Sequence, residues 1–179
     1  MKAEDESLVR ACRKGNRGAF ESLFDRYERP IFNLALRMVH DRDEASDITQ
    51  TTFAKAWERL GSFDFRHRFY SWLYRIAVNE CLDQLARRRP TAALDEGAAS
   101  ELPDPEQAAG EHERSAIVRH ALLEISPDHR AVLILKHYLD LSYSEIGTVL
   151  DLPERTVRSR LYEARQNLRR CLSRARNGK

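Results

Sequence analysis

Apolar positions in the first half of the chain recur at three- and four-residue steps. Phe20, Leu23, Phe24 and Tyr27 share one helical face. Pro30 interrupts that stripe, and Ile31, Leu34, Ala35 and Met38 open another, so two helices are expected here. Asp41, Arg42 and Asp43 form a polar break. A further helix is expected over 44–60, ended by Gly61 and Ser62, because a glycine just past the last turn can adopt the left-handed conformation that closes a helix. A loop over 63–68 carries Phe63, Phe65, Arg66, His67 and Arg68. The pattern then returns to helical over 69–89, with Leu73, Ile76, Ala77 and Leu85 inward. No segment alternates at period two, so no strand is expected.

The second half is patterned the same way. One helix is expected over 115–124. Ser126, Pro127 and Asp128 open the next, since proline suits a first turn and Ser or Asp caps it; its apolar positions are Ala131, Val132, Leu135 and Tyr138. Ser142 and Glu145 have capping-box spacing, which starts a short helix ending near Leu150. Asp151, Leu152 and Pro153 turn the chain into a last helix. A short helix, a three-residue turn and a long helix make a helix-turn-helix pattern, and Gly147 in its first helix would let the second approach. In the last helix Val157, Leu161, Ala164, Leu168 and Leu172 fall on one face. Arg155, Ser159, Tyr162 and Gln166 fall opposite, with Arg158 beside them.

Charge changes the picture when it is divided along the chain. The formal net charge of the 179 residues is only +2. Residues 1–89 hold 17 basic and 14 acidic residues, residues 90–113 none and seven, and residues 114–179 hold 13 and seven. The middle stretch contains Pro90, Pro103 and Pro105 and no aromatic residue, so it buries too little to offset its ordering entropy and reads as a flexible acidic linker. The chain is therefore expected to be all-α: two small helical domains, 1–89 and 114–179, joined by the linker 90–113, the second ending in the helix-turn-helix. Residues 155–179 carry nine basic residues against Glu163 alone. A helix this one-sided meets a polyanion, and its arginines can grip guanine with two hydrogen bonds in the major groove. The blander alternative is a solvated arginine face. Glu154 suits the helix dipole but repels phosphate, so it is expected off the DNA track.

Two segments make the reading specific. Residues 141–147 (LSYSEIG) followed by 156–161 (TVRSRL) resemble the region-four domain of extracytoplasmic-function sigma factors, small sigma-70-type subunits of bacterial RNA polymerase. Independently, Asp47, Ile48, Thr49 and Gln50 with Phe53 and Trp57 resemble the family's polymerase-binding helix, and residues 69–79 (FYSWLYRIAVN) resemble its promoter-melting helix. The resemblance covers nearly the whole chain in the family's order. It implies that 1–89 is a region-two domain that docks on the clamp helices of core RNA polymerase and melts the −10 element. It implies that 114–179 is a region-four domain that reads the −35 element of promoter DNA as duplex, near the polymerase flap. On that basis the polymerase-binding residues are Asp47, Gln50, Thr51 and Glu58. The −10 residues are Arg66, His67, Arg68, Tyr70, Trp72, Arg75 and Asn79, since melted bases need aromatic surfaces, hydrogen-bonding groups and positive charge. Phe69 and Trp72 could equally be core. The −35 residues are Arg155, Thr156, Arg158, Ser159, Tyr162 and Arg165.

One position departs from the family. Most relatives carry an acid directly after the glutamine of the polymerase-binding helix, where this chain has Thr51. On a helical wheel Ala45, Thr49, Thr52, Phe53, Ala56 and Leu60 face inward. Glu44, Asp47, Thr51, Ala54 and Glu58 face outward, so Thr51 is a neutral gap in an acidic stripe. Phosphothreonine would restore about −1.5 to −2 of charge. A phosphorylation switch at Thr51, set by a Ser/Thr kinase, is the sharp reading, similar to a family subgroup that looks kinase-activated; tolerated variation is the plain one. Control by an anti-sigma factor is the family's other route.

An enzyme is not indicated. No phosphate-binding glycine loop, nucleophile elbow or paired carboxylates appear, and the six histidines and three cysteines lack metal-ligand spacing, so no metal or other cofactor is expected. Cys12 and Cys81 read as buried apolar residues, and scattered cysteines with no signal peptide or membrane-length apolar run point to a cytoplasmic protein without membrane insertion. The competing function is a stand-alone helix-turn-helix regulator that needs no polymerase for DNA specificity. A protein that sequesters a partner through its acidic helix is a third class.

Overall fold

A computed structural model of the chain describes residues 2–88 and 109–177, with side chains over 4–88 and 117–174. All regular elements among the described residues are helical, and they form two compact units.

The first unit holds α1 (Lys2–Arg13), α2 (Arg17–Val39), α3 (Arg42–Arg59) and α4 (Phe69–Arg88) as far as Gln84, with a 3-10 turn at Leu60–Ser62. The apolar pattern gave no sign of α1. It buries only Val9, Cys12 and the polar Asp5, too few apolar positions to register as a stripe. Asp5 is satisfied by Arg26 Nη1 and by the Tyr27 hydroxyl, both donating at 2.6 Å, so a carboxylate fastens α1 to α2. Burial and the Asp5 carboxylate together drive the Tyr27 phenol well above its ordinary pKa. Gly15, at φ 89°, turns the chain, and Asn16 caps α2 by accepting from the Ala19 amide at 3.2 Å.

The expected break at Pro30 does not occur; α2 runs through it. A proline inside a helix costs about 3 kcal/mol. Leu23, Tyr27, Ile31, Leu34, Ala35 and Met38 form one continuous buried stripe across it. Fully burying a large side chain contributes about 1.5–3 kcal/mol, so that stripe outweighs the lost bond. His40, in the left-handed conformation at φ 57°, ends α2, and Asp41 caps α3 through the Glu44 amide at 2.9 Å. The polar break is thus one helix's end and the next helix's start. Gly61 is not left-handed; the 3-10 turn closes α3 instead.

The second unit holds α5 (Ala109–Glu124), α6 (Pro127–His137), α7 (Tyr143–Leu150) as far as Gly147, and α8 (Glu154–Asn177). Helix α5 begins earlier than expected and takes in 109–113, which the charge division placed in the linker; the rest of that linker, 90–108, lies outside the described residues. Arg130 is buried at 3% exposure and donates to the carbonyls of Leu122 at 2.8 Å, Leu123 at 3.0 Å and Ile125 at 3.4 Å. One guanidinium thereby satisfies acceptors that the end of α5 leaves unpaired. Ile134, Leu135, Ile146, Val157 and Leu161 form the core beneath α8. Cys12, Cys81 and Cys171 are free and buried. No helix among the described residues is long and apolar enough to cross a membrane.

Candidate DNA and polymerase interfaces

The helix-turn-helix is built by three local devices. Ser142 and Glu145 make the expected capping box: the Glu145 amide donates to Ser142 Oγ at 3.2 Å, and the Ser142 amide to Glu145 Oε2 at 2.8 Å. Asp151 turns the chain at φ 57°, and the Leu152 amide closes on Gly147 O at 2.9 Å. A Cβ at Gly147 would lie 2.7 Å from Leu152 O, so glycine is required here because the turn's backbone passes against the helix. Helix α8 leaves this turn with Val157, Leu161 and Ala164 buried. Arg155, Arg158, Ser159, Tyr162 and Arg165 are exposed on the same helix, while Thr156 and Gln166 are half-buried.

These exposed groups are not independent. Arg158 donates from Nη2 to Glu154 Oε1 at 2.6 Å, and its guanidinium lies 5.2 Å from the ring centroid of Tyr143 on α7. Glu154, expected off the DNA track, is the partner of Arg158, one of the expected −35 residues. Arg165 donates to His137 Nε2 at 3.4 Å. A guanidinium has no acceptor, so Nε2 carries no proton. Burial, Arg165 and Lys136 all lower the His137 pKa, which agrees with a neutral ring.

In the first unit the loop 63–68 presents Arg66, His67 and Arg68 to solvent, and Asn79 is exposed one face along α4. Arg66 pairs with Asp64, and that hydrogen bond, with one from the Arg66 backbone amide, lowers the Asp64 carboxyl to about 2. Tyr70, Trp72 and Arg75 are half-buried. Arg68 Nη1 reaches the Tyr70 hydroxyl at 3.2 Å. Of the aromatic residues with two readings, Phe69 is core, at 3% exposure. Trp72 leans on Phe63 and Phe69, with centroids 5.4 and 5.7 Å away, so only part of its ring is open to a base.

Helix α3 exposes Asp47, Gln50, Ala54, Trp57 and Glu58. Thr51 and Glu44, expected on the outward stripe, are half-buried at its margin. Thr49 and Thr52 are inward as expected, their hydroxyls donating to Ala45 O and Ile48 O at 2.7 Å each. Thr51 makes no side-chain hydrogen bond among the described residues.

Both units match known families. Residues 23–91 match the sigma-70 region 2 model and residues 115–168 the sigma-70 region 4 model. The chain is 36% identical to the RNA polymerase sigma-H factor of Pseudomonas aeruginosa, over 94% of each chain. It belongs to the extracytoplasmic-function sigma factors of the sigma-70 family. The sigma factor is also 34% identical to SigW of Bacillus subtilis, covering 92% of this chain and 94% of that one. Among solved structures it resembles CnrH in complex with the cytosolic domain of CnrY, at TM-score 0.73 and 26% identity over 95% of this chain and 97% of that one. RpoE of Bartonella quintana, solved with the anti-sigma factor NepR, shares the fold at TM-score 0.72 and 23% identity, over 86% and 96%.

Sequence reasoning missed two features of this sigma factor's surfaces. The Glu154–Arg158 pair has a sequence signal, the i,i+4 spacing of opposite charges. The attachment of the loop 63–68 to α1 has none, because its partners are about fifty residues apart in sequence.

Proposed function

We propose that this sigma factor directs core RNA polymerase to promoters through three separate faces. The exposed face of α8, with Arg155, Thr156, Arg158, Ser159, Tyr162 and Arg165, reads the −35 element as duplex. The loop 63–68 with Tyr70, Trp72, Arg75 and Asn79 holds the −10 element as it opens. The α3 face, with Asp47, Gln50, Thr51 and Glu58, docks on the clamp helices, and the region-four unit lies toward the flap. One observation carries the DNA reading: a capped, tightly turned helix-turn-helix whose second helix exposes Arg155, Arg158, Ser159, Tyr162 and Arg165 together. Family membership weighs against a stand-alone regulator. Transcription with purified core polymerase, with and without this protein and in both phosphorylation states of Thr51, tests the proposal. Promoter-specific initiation supports it. Absence of promoter specificity in both states overturns it, and sequence-specific binding at full strength without polymerase favours the stand-alone regulator.

We further propose that a Ser/Thr kinase switches the α3 face on at Thr51. Support comes from position: Asp47 and Glu58 are exposed on the same helix, and Thr51 is the threonine there whose hydroxyl is not engaged by an α3 carbonyl. A phosphate would supply the missing negative charge and strong acceptors. Thr51→Ala is expected to be inactive in cells, with Thr51→Asp retaining part of the activity. An alanine variant that transcribes normally removes the switch. An anti-sigma protein that covers these faces is the further partner we infer, from the CnrH complex with CnrY; recovery of such a protein bound to the full chain, in competition with core polymerase, is the test.

A further inference from the structure

The loop 63–68 exposes Arg66, His67 and Arg68 on a short irregular segment. Within it, the His67 amide donates to Asp64 O at 3.0 Å, the Arg66 amide to Asp64 Oδ1 at 2.9 Å and Arg66 Nε to Asp64 Oδ2 at 2.7 Å. Such a segment samples many conformations unless it is held from outside. It is held on two sides. On one, Phe63 is buried against Phe69 and Trp72 of α4, with Phe65 packed on Phe63 at 5.3 Å between centroids. On the other stands α1. Arg13 Nε donates to Leu60 O at 3.0 Å, and its Nη2 donates to Phe63 O. These carbonyls sit where the chain leaves the 3-10 turn, and Leu60 O also accepts from the Phe63 amide at 3.2 Å, so Arg13 ties together both ends of that turn. The Arg10 and Arg13 guanidinium carbons lie 4.1 and 4.8 Å from the Phe65 ring centroid. Helix α1 is itself fixed by the buried Asp5 with its Arg26 and Tyr27 partners and by Val9 and Cys12.

We propose that Arg13, assisted by Arg10, is a positioning residue for promoter opening: it clamps the loop from behind so that Arg66, His67 and Arg68 meet the −10 element in one register. A guanidinium fork can serve two divergent carbonyls and stack on a ring at once, which a lysine ammonium cannot. A site whose supporting groups are loose loses discrimination before it loses binding. The assignment of Arg10 and Arg13 to the loop also removes two cations of this unit from the set available to DNA. The proposal rests on the reading of the loop as a −10 contact.

The test uses holoenzyme reconstituted with core polymerase on a promoter library with a fixed −35 element and randomised −10 positions, open complexes being selected and sequenced. Arg66→Ala, His67→Ala and Arg68→Ala locate the −10 positions the loop reads. Arg13→Ala is expected to flatten preference at those same positions by about fivefold or more, the scale of one lost base contact. Arg13→Lys should fail to restore it, and Arg13→Ala combined with the loop variant should add little. Polymerase affinity and thermal unfolding of each variant are measured alongside. If Arg13→Ala unfolds the protein, Arg10→Ala, which leaves both carbonyl bonds in place, is expected to flatten the same positions to a smaller degree. Loop variants that shift the −10 profile while the arginine variants leave it intact overturn the positioning role alone. A profile unmoved by the loop variants as well overturns the −10 reading of the loop and the positioning role with it.

Discussion

Arg158 Nη2 lies 2.6 Å from Glu154 Oε1, one helical turn away, and Tyr143 flanks the same guanidinium. The pair is exposed and solvent-screened, so its consequence lies less in stability than in the company it gives the arginine's charge. In the structure Arg158 is paired with Glu154, so a phosphate or a base that approaches it competes with that carboxylate. Glu154→Ala is therefore expected to strengthen binding to all duplexes and to narrow the gap between a cognate −35 element and a scrambled one. The salt slope of log K should steepen by about one, for one more cation free to meet phosphate. Anisotropy titrations over a salt series check this. Arg158→Ala should act in the opposite sense, weakening cognate binding by about 1–3 kcal/mol if it reads a base.

Gly147 and Gly61 differ in what surrounds them. A Cβ at Gly147 would meet the Leu152 carbonyl at 2.7 Å, whereas one at Gly61 meets nothing within 4 Å. Gly147→Ala must push α7 from the turn, and forcing atoms into a packed site costs about 1–3 kcal/mol. Gly61→Ala restricts the unfolded chain without strain and should be neutral or stabilising by about 0.4–1 kcal/mol. Denaturant unfolding should show Gly147→Ala less stable than the parent and Gly61→Ala at or above it, with −35 binding impaired in the first and intact in the second.

Much of this was legible in the chain because its signals are local. Ser142 and Glu145 announce a capping box that the structure forms, and the inward threonines Thr49 and Thr52 follow from the 3.6-residue period alone. Pro30 misled because a local rule was applied where packing decides: the buried stripe from Leu23 to Met38 is continuous, and its burial outweighs one missing hydrogen bond. Helix α1 was invisible for the converse reason. Its fastening is polar and distant, through Asp5 to Tyr27 and Arg13 to Phe63, and polar partners far apart in sequence leave no periodic trace.

Asp64 supplies a pH signature for the loop. Its hydrogen bonds from the Arg66 side chain and amide lower its pKa from 3.8 to about 2. A depressed carboxylate pKa means that the folded state favours the charged form, so the contribution is complete above the unfolded value and disappears as pH falls through the folded one. The loop turn is thus expected to keep its geometry down to about pH 4 and to loosen between there and about pH 2. Carboxyl chemical shifts of Asp64 followed by NMR titration should show the low midpoint, and Arg66→Ala should return it toward the ordinary range. A midpoint near 4 in the parent protein would mean that Arg66 does not hold Asp64 in solution.

Under the proposed division of faces, a variant at Asn79 separates opening from duplex recognition. It is exposed on α4, in the first unit, while the −35 candidates all lie on α8 in the second. Its amide offers both donor and acceptor, which suits the edge of an unpaired base and adds nothing to backbone charge. Asn79→Ala should therefore leave the salt dependence of binding unchanged and leave affinity for a −35 duplex at the parent level. Its effect should appear in strand opening, as reduced permanganate reactivity of −10 thymines in reconstituted holoenzyme. Substituting a mismatched, already open −10 segment distinguishes two roles for the side chain. If Asn79 helps to unstack the duplex, the premelted template rescues the variant; if it holds the flipped base, the defect persists on that template. We expect persistence, because an exposed neutral amide can hydrogen-bond a base already exposed but has no wedge with which to part a pair.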